Sequence, residues 1–394
     1  MSAREIRAGA HRPDFILLFS ILGLILVGTV IISSASVVMS QQVAGSPNFY
    51  FIRHLWSLLF GAVLFAVGYK IDYSFWKKLA PILIIVSIAM LILVLVPGVG
   101  SKLGGARRWI HVGPLFFAPT EVFKLAFIIY LAAWFDRKGA DVKSFLYSAV
   151  PFLVILATVA GLIIAQPDMG TMIVVASVAA IMYFVAGASI SHIVMMAGIG
   201  VAAIIFLIKT ASYRMARFMI FLNPSADQSE KGYQINQALL AVGTGGFLGQ
   251  GFGQSRQKFN YLPEAVTDSV FAITAEELGF VRSSLIIVGF VFLAMRGYMV
   301  AEKAPDTFSR LLAVGITSWI VVQALINVAA MLSIIPLTGV PLPFISYGSS
   351  STVALLLASG ILLNISKHTQ GETRESRINR RRNWWTYLAG SSRN

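Results

Sequence analysis

The chain alternates long apolar stretches with short breaks of glycine, proline and charge. The stretches run from Phe15 to Ile32, His54 to Tyr69, Leu79 to Val96, Val122 to Phe135, Phe145 to Ala165, Met172 to Val185, Ile190 to Ile208, Phe280 to Met295, Leu311 to Ile335 and Thr352 to Leu363. A helix crosses the hydrocarbon of a bilayer in roughly 20 residues, so with their interfacial flanks these stretches predict about ten transmembrane helices. Several are short, and their ends are expected to rest on protein or on a wet cavity, where irregular backbone keeps its hydrogen-bond partners.

Composition points the same way: of 394 residues, 57% are hydrophobic and 12% charged, outside the range of a soluble domain. The absence of cysteine excludes disulfides and thiolate metal sites. The five histidines share no ligand spacing, which argues against a zinc site. The first stretch is long enough to span and reads as a retained helix, not a cleaved signal.

Charge gives the orientation. With the N-terminus in the cytoplasm, Arg4, Arg7, Arg12, Lys70, Lys77, Lys78, Arg137, Lys138, Lys143, Arg296, Lys303, Arg310 and the tail "RESRINRRRNWW" all fall inside. That satisfies the positive-inside rule and places both termini in the cytoplasm. The expected fold class is therefore an all-α polytopic membrane protein with a large extracytoplasmic loop between helices 7 and 8. Its parts are a cytoplasmic N-terminus (1–14), a ten-helix membrane domain (15–366) containing the large loop (209–267), and a basic cytoplasmic tail (367–394). Arg380, Arg381 and Arg382 beside Trp384, Trp385 and Tyr387 suit anionic inner-leaflet lipid better than nucleic acid.

Two outer segments break the charge bias. The short loop "GSKLGGARRWIHVGPLFFAPTE" carries Lys102, Arg107 and Arg108, and the segment from Lys209 to Thr267 carries Arg214, Arg217, Lys231, Arg256 and Lys258. Long loops translocate regardless of charge, but the first loop is too short for that explanation. The second, at about sixty residues, is too long for an idle connector and is expected to fold over the outer face. Its glycines between Gly243 and Gly253 allow tight backbone paths yet lack the context of a P-loop. With the basic residues they suggest an anionic substrate arriving from outside.

Polar residues at membrane depth narrow the search. In "FAPTEVFKLAF", Pro119 suits a helix entry, Thr120 a cap and Glu121 the first turn, with Lys124 on the same face. A self-satisfied ion pair is the bland account, but charges at that depth more often line a pathway or site. In "AQPDMGT", Gln166, Asp168 and Gly170 fit a turn nearly as well as a site. Gln323 and Asn327, at i and i+4, are expected to hydrogen-bond another helix.

The most acidic stretch is "YLPEAVTDSVFAITAEELG", with Glu264, Asp268, Glu276 and Glu277. If helical, Glu264 and Asp268 share a face, while Glu276 is turned by about 80° and Glu277 by about 180° from Asp268. Four acids so placed cannot do one job. Asp268 or Glu264 is expected to face a cavity, and Glu276 and Glu277 to pair with Arg282 or with basic loop residues.

These motifs, "YRMARFMIFLNP", "GYQINQALLAVGTGGFLGQGFGQSRQKFNYLPEAVTDSVFAITAEELG" and "GVPLPFISYGSSS", with "GARRWI", "PTEVFK" and "QPDMGT" in order, resemble the SEDS family of polytopic peptidoglycan glycosyltransferases. "GYQ" and "QKFNYLPEAVTD" resemble the septal FtsW branch more than the elongation branch, RodA. The resemblance implies polymerisation of lipid II at the outer face of the bacterial cytoplasmic membrane, at the division septum. It also implies an essential aspartate at Asp268, as the base for an acceptor hydroxyl that attacks an anomeric carbon.

Arg107, Arg108, Lys124, Arg214 and Arg217 are candidates for the pyrophosphate. Glu264, Glu121, Asp168, Lys258 and Ser346 complete the expected substrate-binding set. No organic cofactor is implied; a divalent cation at Asp268 or Glu264 would assist, though no cage for it is visible. The implied partners are lipid II and the undecaprenyl-pyrophosphate-linked glycan, a class B penicillin-binding protein transpeptidase, other divisome membrane proteins and membrane lipids. A lipid-linked sugar flippase and a non-catalytic division scaffold are the competing readings. Ser269, Ala118, Ser349 and Arg282 depart from the family's usual residues without removing a proposed catalytic group.

Overall fold

The computed structural model describes residues 12–103, 106–112, 115–223 and 230–369. Expectations placed on Arg4, Arg7, Arg380, Arg381, Arg382 and the side chains of Lys102 and Lys231 lie outside what it describes.

In chain order the elements are α1 (Phe15–Ala35), α2 (Val37–Ala44), α3 (Phe49–Lys70), α4 (Tyr73–Leu95), β1 (Gly100–Leu103), β2 (Ala106–Val112), β3 (Leu115–Phe117) and α5 (Pro119–Lys138). There follow α6 (Val150–Ala165), α7 (Met169–Val185), α8 (Ile190–Thr210), α9 (Ser212–Leu222), α10 (Glu230–Gly245), α11 (Val270–Glu302), α12 (Thr307–Met331) and α13 (Ser349–Ser366). Among the described residues, eight helical segments are long and apolar enough to cross a membrane: α1, α3, α4, Phe145–Ala165 (which contains α6), α8, α11, α12 and α13. α7 is apolar but shorter, and α5 spends its polarity on Glu121 and Lys124 at one end and Asp136, Arg137 and Lys138 at the other.

Burial separates the centre from the periphery. In the most apolar windows of α12 and α13, 78% of residues are buried, against 11% in α8. α5 is buried along most of its length, so α5, α12 and α13 form the core around which the lipid-facing helices are arranged. Exposed Phe19, Leu26, Trp56, Ile85 and Phe206 lie on those outer helices, as a lipid solvent requires.

One end of the bundle is tied by polar contacts. Arg296 pairs with Asp14, whose N–H donates to Ser366 Oγ at 3.1 Å, and Tyr73 Oη donates to Asp306 at 2.7 Å. Asp306 and Ser309 also form a capping box at the start of α12. The opposite end carries the strands, α9, α10 and the irregular segments, and it holds the site.

Three local outcomes differ from the sequence expectations. Residues 100–103, 106–112 and 115–117 pair as a small antiparallel sheet in the order β1-β2-β3, so the described fold is helical with one outer sheet. α5 begins at Pro119 with Ala118 as its N-cap, which places Thr120 inside the first turn, not at the cap. The last long apolar stretch overruns its helix: α12 ends at Met331, Ser333 adopts a positive φ of 53°, and Pro336 bars a helical conformation just before it. α11 bends sharply at Gly279, whose φ of 77° and ψ of 179° suit glycine almost alone.

Candidate functional site

The segment 261–269 is not helical; α11 starts at Val270 with Ser269 as its N-cap. The same-face argument for Glu264 and Asp268 therefore gives way to a turn. Glu264 sits at φ 53°, and its carbonyl accepts from Thr267 N and Ser269 N. The reason lies in the three carbonyls of residues 266–268. In a continuing helix they would accept from residues four further on. Instead Val266 O accepts from Tyr347 N at 2.9 Å, Thr267 O from Ser346 Oγ at 2.6 Å and Asp268 O from Asn327 Nδ2 at 2.8 Å. Tertiary donors have taken the acceptors that helix propagation needs.

This mounting leaves Asp268 half-buried beside Gly339. A Cβ at Gly339 would lie 3.2 Å from Asp268 Oδ2, and its φ of 71° is already left-handed. Among the described residues the Asp268 carboxylate accepts no hydrogen bond. Burial, followed by the nearby charge of Glu264, pushes its pKa up to about 7; Arg108 and Arg217 oppose this, and Asp168 adds to it.

The basic side chains divide into two groups. Arg108 reaches Asp168 at 3.4 Å, and Asp168 also caps α7, accepting from Thr171 N at 3.0 Å and Thr171 Oγ1 at 2.9 Å. The β1–β2 register shifts here, with Lys102 paired to Arg107 and Ser101 to Trp109, so Arg108 is the extra residue of a bulge beside Arg107. Arg217 donates to Leu337 O at 3.5 Å on the segment that backs Asp268. Arg214, three residues earlier, turns back to Leu207 O at 3.1 Å. Arg108, Arg217, Asp168, Glu264 and Asp268 thus converge.

Lys258 lies elsewhere. It is buried, with its ammonium on Glu277 at 3.0 Å, Ser34 Oγ at 3.1 Å and Gly253 O at 2.6 Å. Glu277 accepts further from Ser34 Oγ at 2.7 Å and Ser255 N at 3.4 Å. Glu276 accepts from Ser255 Oγ, from Arg256 N at 3.0 Å and from Gln257 N at 3.4 Å. Of the expected partners, the basic loop residue Lys258 is the one that meets Glu277, while Arg282 donates to Leu248 O at 3.2 Å. The glycine-rich loop serves this docking: Gln250 N and Gly251 N donate to Glu276 O and Glu277 O, and Phe280 N to Gly246 O, across the bend in α11.

Glu121 and Lys124 are buried and pair at 2.9 Å. Lys124 also donates to Gln323 Oε1 at 2.8 Å and lies 5.1 Å from the centre of the Trp319 ring. Beneath it a small apolar cavity is lined by Phe127, Ile128, Val174, Val178 and Trp319. Ser346 is committed to backbone, accepting from Leu342 N at 2.8 Å while it donates to Thr267 O. Among the described residues no three His, Asp or Glu side chains gather into a metal-binding group. Asp268 and Glu264 alone do not build a cation cage.

Sequence reasoning missed Asn327 and Gly339 as neighbours of Asp268. The i,i+4 amide spacing was visible, but nothing in it told that the acceptors would be loop carbonyls and not another helix.

A family model described as "Cell cycle protein", covering FtsW, RodA and SpoVE, matches residues 15–371. The chain is 40% identical over 358 residues to "Stage V sporulation protein E" of Bacillus subtilis, covering 91% of this chain and 98% of that one. It is 39% identical over 353 residues to a Trichlorobacter lovleyi protein named "Probable peptidoglycan glycosyltransferase FtsW", covering 90% and 93%. Among solved structures it resembles a chain from work titled "Structural coordination of polymerization and crosslinking by a peptidoglycan synthase complex", with a TM-score of 0.73, 26% identity and coverage of 91% and 99%. The crystal structure of Thermus thermophilus rod shape determining protein RodA matches at a TM-score of 0.68 and 26% identity, covering 91% and 98%.

Proposed function

The chain belongs to the FtsW/RodA/SpoVE family of membrane-embedded cell cycle proteins, and on that footing we propose that it is a peptidoglycan glycosyltransferase with Asp268 as its general base. The observation that carries the assignment of Asp268 is a half-buried carboxylate without a hydrogen bond among the described residues, set between Arg108 and Arg217 and pushed up to about 7. A base with that pKa is half-ionised at neutral pH and can both take and release a proton.

In the proposed reaction the 4-hydroxyl of lipid II attacks the anomeric carbon of a glycan carried on undecaprenyl pyrophosphate. A bond forms between that oxygen and the anomeric carbon, the bond from the carbon to the pyrophosphate oxygen breaks, and the hydroxyl proton passes to Asp268. The departing pyrophosphate gains charge, and Arg108 and Arg217 are the cations best placed to stabilise it. Asp168 holds Arg108 in place. Glu264 acts through its charge on Asp268, and Arg107 is kept as a more distant phosphate contact. Glu121 and Lys124 act from deeper in the bundle, while Lys258, Arg214 and Ser346 serve the fold of the loops that carry the site.

The end bearing the sheet and Asp268 is assigned to the outside of the cytoplasmic membrane, with both termini inside and α5 and α7 crossing as well, for ten spans. The division septum is the proposed place of action. A class B penicillin-binding protein is the proposed partner, supported by the resemblance to a chain from a complex that coordinates polymerisation with crosslinking. Purified full-length protein supplied with lipid II should make glycan strands, and Asp268→Ala should make none while keeping its fold. Undiminished polymerisation by that variant overturns the assignment; translocation of the headgroup without polymerisation points to a flippase.

A further inference from the structure

Asp268 is held from behind by a polar chain that begins deep in the bundle. On α12, Gln323 and Asn327 are one turn apart and fully buried, with exposures of 0% and 1%. Gln323 Oε1 accepts from Lys124 Nζ at 2.8 Å and from Trp319 Nε1 at 2.8 Å, and its Nε2 donates to Pro341 O at 2.9 Å. Asn327 Nδ2 donates both to Val340 O at 2.7 Å and to Asp268 O at 2.8 Å. Two amides therefore grip adjacent carbonyls of the segment between α12 and α13, and the second of them also holds the backbone of Asp268.

Proline at 341 and 343 removes backbone donors from that segment, and Gly339 supplies its turn against the carboxylate. Its anchoring falls to side chains from α12. A buried amide whose two donor hydrogens are both spent on carbonyls has one orientation.

We propose that Asn327 and Gln323 are positioning residues for Asp268: they join the Lys124–Glu121 pair, the 339–341 backbone and the Asp268 backbone into one rigid mount that fixes where the carboxylate stands. This rests on the reading of Asp268 as the base. Neither amide touches substrate in it. Replacing Asn327 releases Asp268 O and Val340 O together, and a carboxylate displaced by about 1 Å loses on the order of 10²-fold in rate.

The test uses the full-length chain in lipid vesicles, with lipid II as substrate, and compares Asn327→Ala, Ser34→Ala, Asp268→Ala and the unaltered protein. Ser34→Ala is the structural control, since it breaks a buried polar cluster around Glu277 that lies away from Asp268. Asn327→Ala should lower kcat by about 10²-fold with KM little changed, and should displace the midpoint of the pH–rate profile. Ser34→Ala should lower the melting temperature and leave that midpoint alone. If Asn327→Ala is not recovered folded, Asn327→Asp, of the same size but with no N–H to donate, replaces it under the same criteria. A kcat near that of the unaltered protein, or a loss matched by Ser34→Ala with an unmoved midpoint, overturns the proposal. Retained polymerisation by Asp268→Ala instead overturns the assignment on which it rests.

Discussion

Two sets of carboxylates lie within ten residues of one another, and they are built in opposite ways. Glu276 and Glu277, past the start of α11, are saturated: between them they accept from Ser255, Arg256, Gln257, Ser34 and Lys258. Asp268, just before α11, accepts nothing among the described residues, and even its backbone carbonyl is held by another element. A carboxylate enclosed by donors has its oxygens spent on holding the fold; one buried beside another acid, as Asp268 is beside Glu264, keeps a proton near neutrality. The contrast separates a structural joint from the proposed base within ten residues of one chain.

The sharpest way to break this comparison is to neutralise each member. Asp268→Asn should lower the rate of glycan polymerisation by roughly 10²- to 10⁴-fold, the range for removing a general base. The same change should stabilise the fold at alkaline pH. The folded chain holds the Asp268 proton more tightly than the unfolded one, with a pKa of about 7 against 3.8. Unaltered protein therefore loses stability as pH rises between those values, and the asparagine variant escapes that loss. Thermal melts at acid and alkaline pH would show the gap between the two widen toward pH 7 and then level off.

Lys258→Met attacks the other member. It strands Glu277 in a buried site and should cost about 3–5 kcal/mol of stability, while the surviving folded protein keeps the pH dependence of its rate. Denaturation followed beside a pH–rate curve separates the two effects. A moved midpoint would mean that the joint and the reactive group are not independent.

Gly339→Ala is a finer probe. The new Cβ would stand 3.2 Å from Asp268 Oδ2 on a backbone with φ of 71°, and a displacement of a few tenths of an ångström should reduce kcat roughly tenfold without weakening substrate binding. Glu264→Gln should have the smallest effect on maximal rate. It removes a charge that raises the Asp268 pKa, so the activity midpoint should move to lower pH, as a titration of kcat/KM would record.

The helices were legible because their apolar stretches exceed what any loop tolerates, and every stretch fell on a helix; the loosest fit is Phe280–Met295, which α11 (Val270–Glu302) overruns at both ends. The long stretch to Ile335 misled because Leu332, Ile334 and Ile335 are apolar but lie past the end of α12, with Ile334 exposed, where Pro336 disfavours a helical conformation at Ile335. The sheet of β1, β2 and β3 was hidden by the glycines and arginines of its segment, which read as a loop. Asp268 was named through its motif, and so were Glu264, Asp168, Arg108 and Arg217, whose charges act on it; the contacts that mount its backbone were not. Residues such as Asn327, Ser346 and Tyr347 bind three consecutive carbonyls from about sixty to eighty residues away in sequence, and no local pattern announces an acceptor taken at that range. Arg214 and Lys258 were natural anion ligands by charge alone; geometry turned one to Leu207 and buried the other on Glu277.

The most direct test of Asp268 as the base is the pH dependence of kcat/KM for lipid II polymerisation by the full-length protein. With Asp268 as the base, the profile should show a limb that rises with pH through a midpoint near 7, the value to which burial and Glu264 push Asp268. A rate that stays flat between about pH 5 and pH 9 would contradict it.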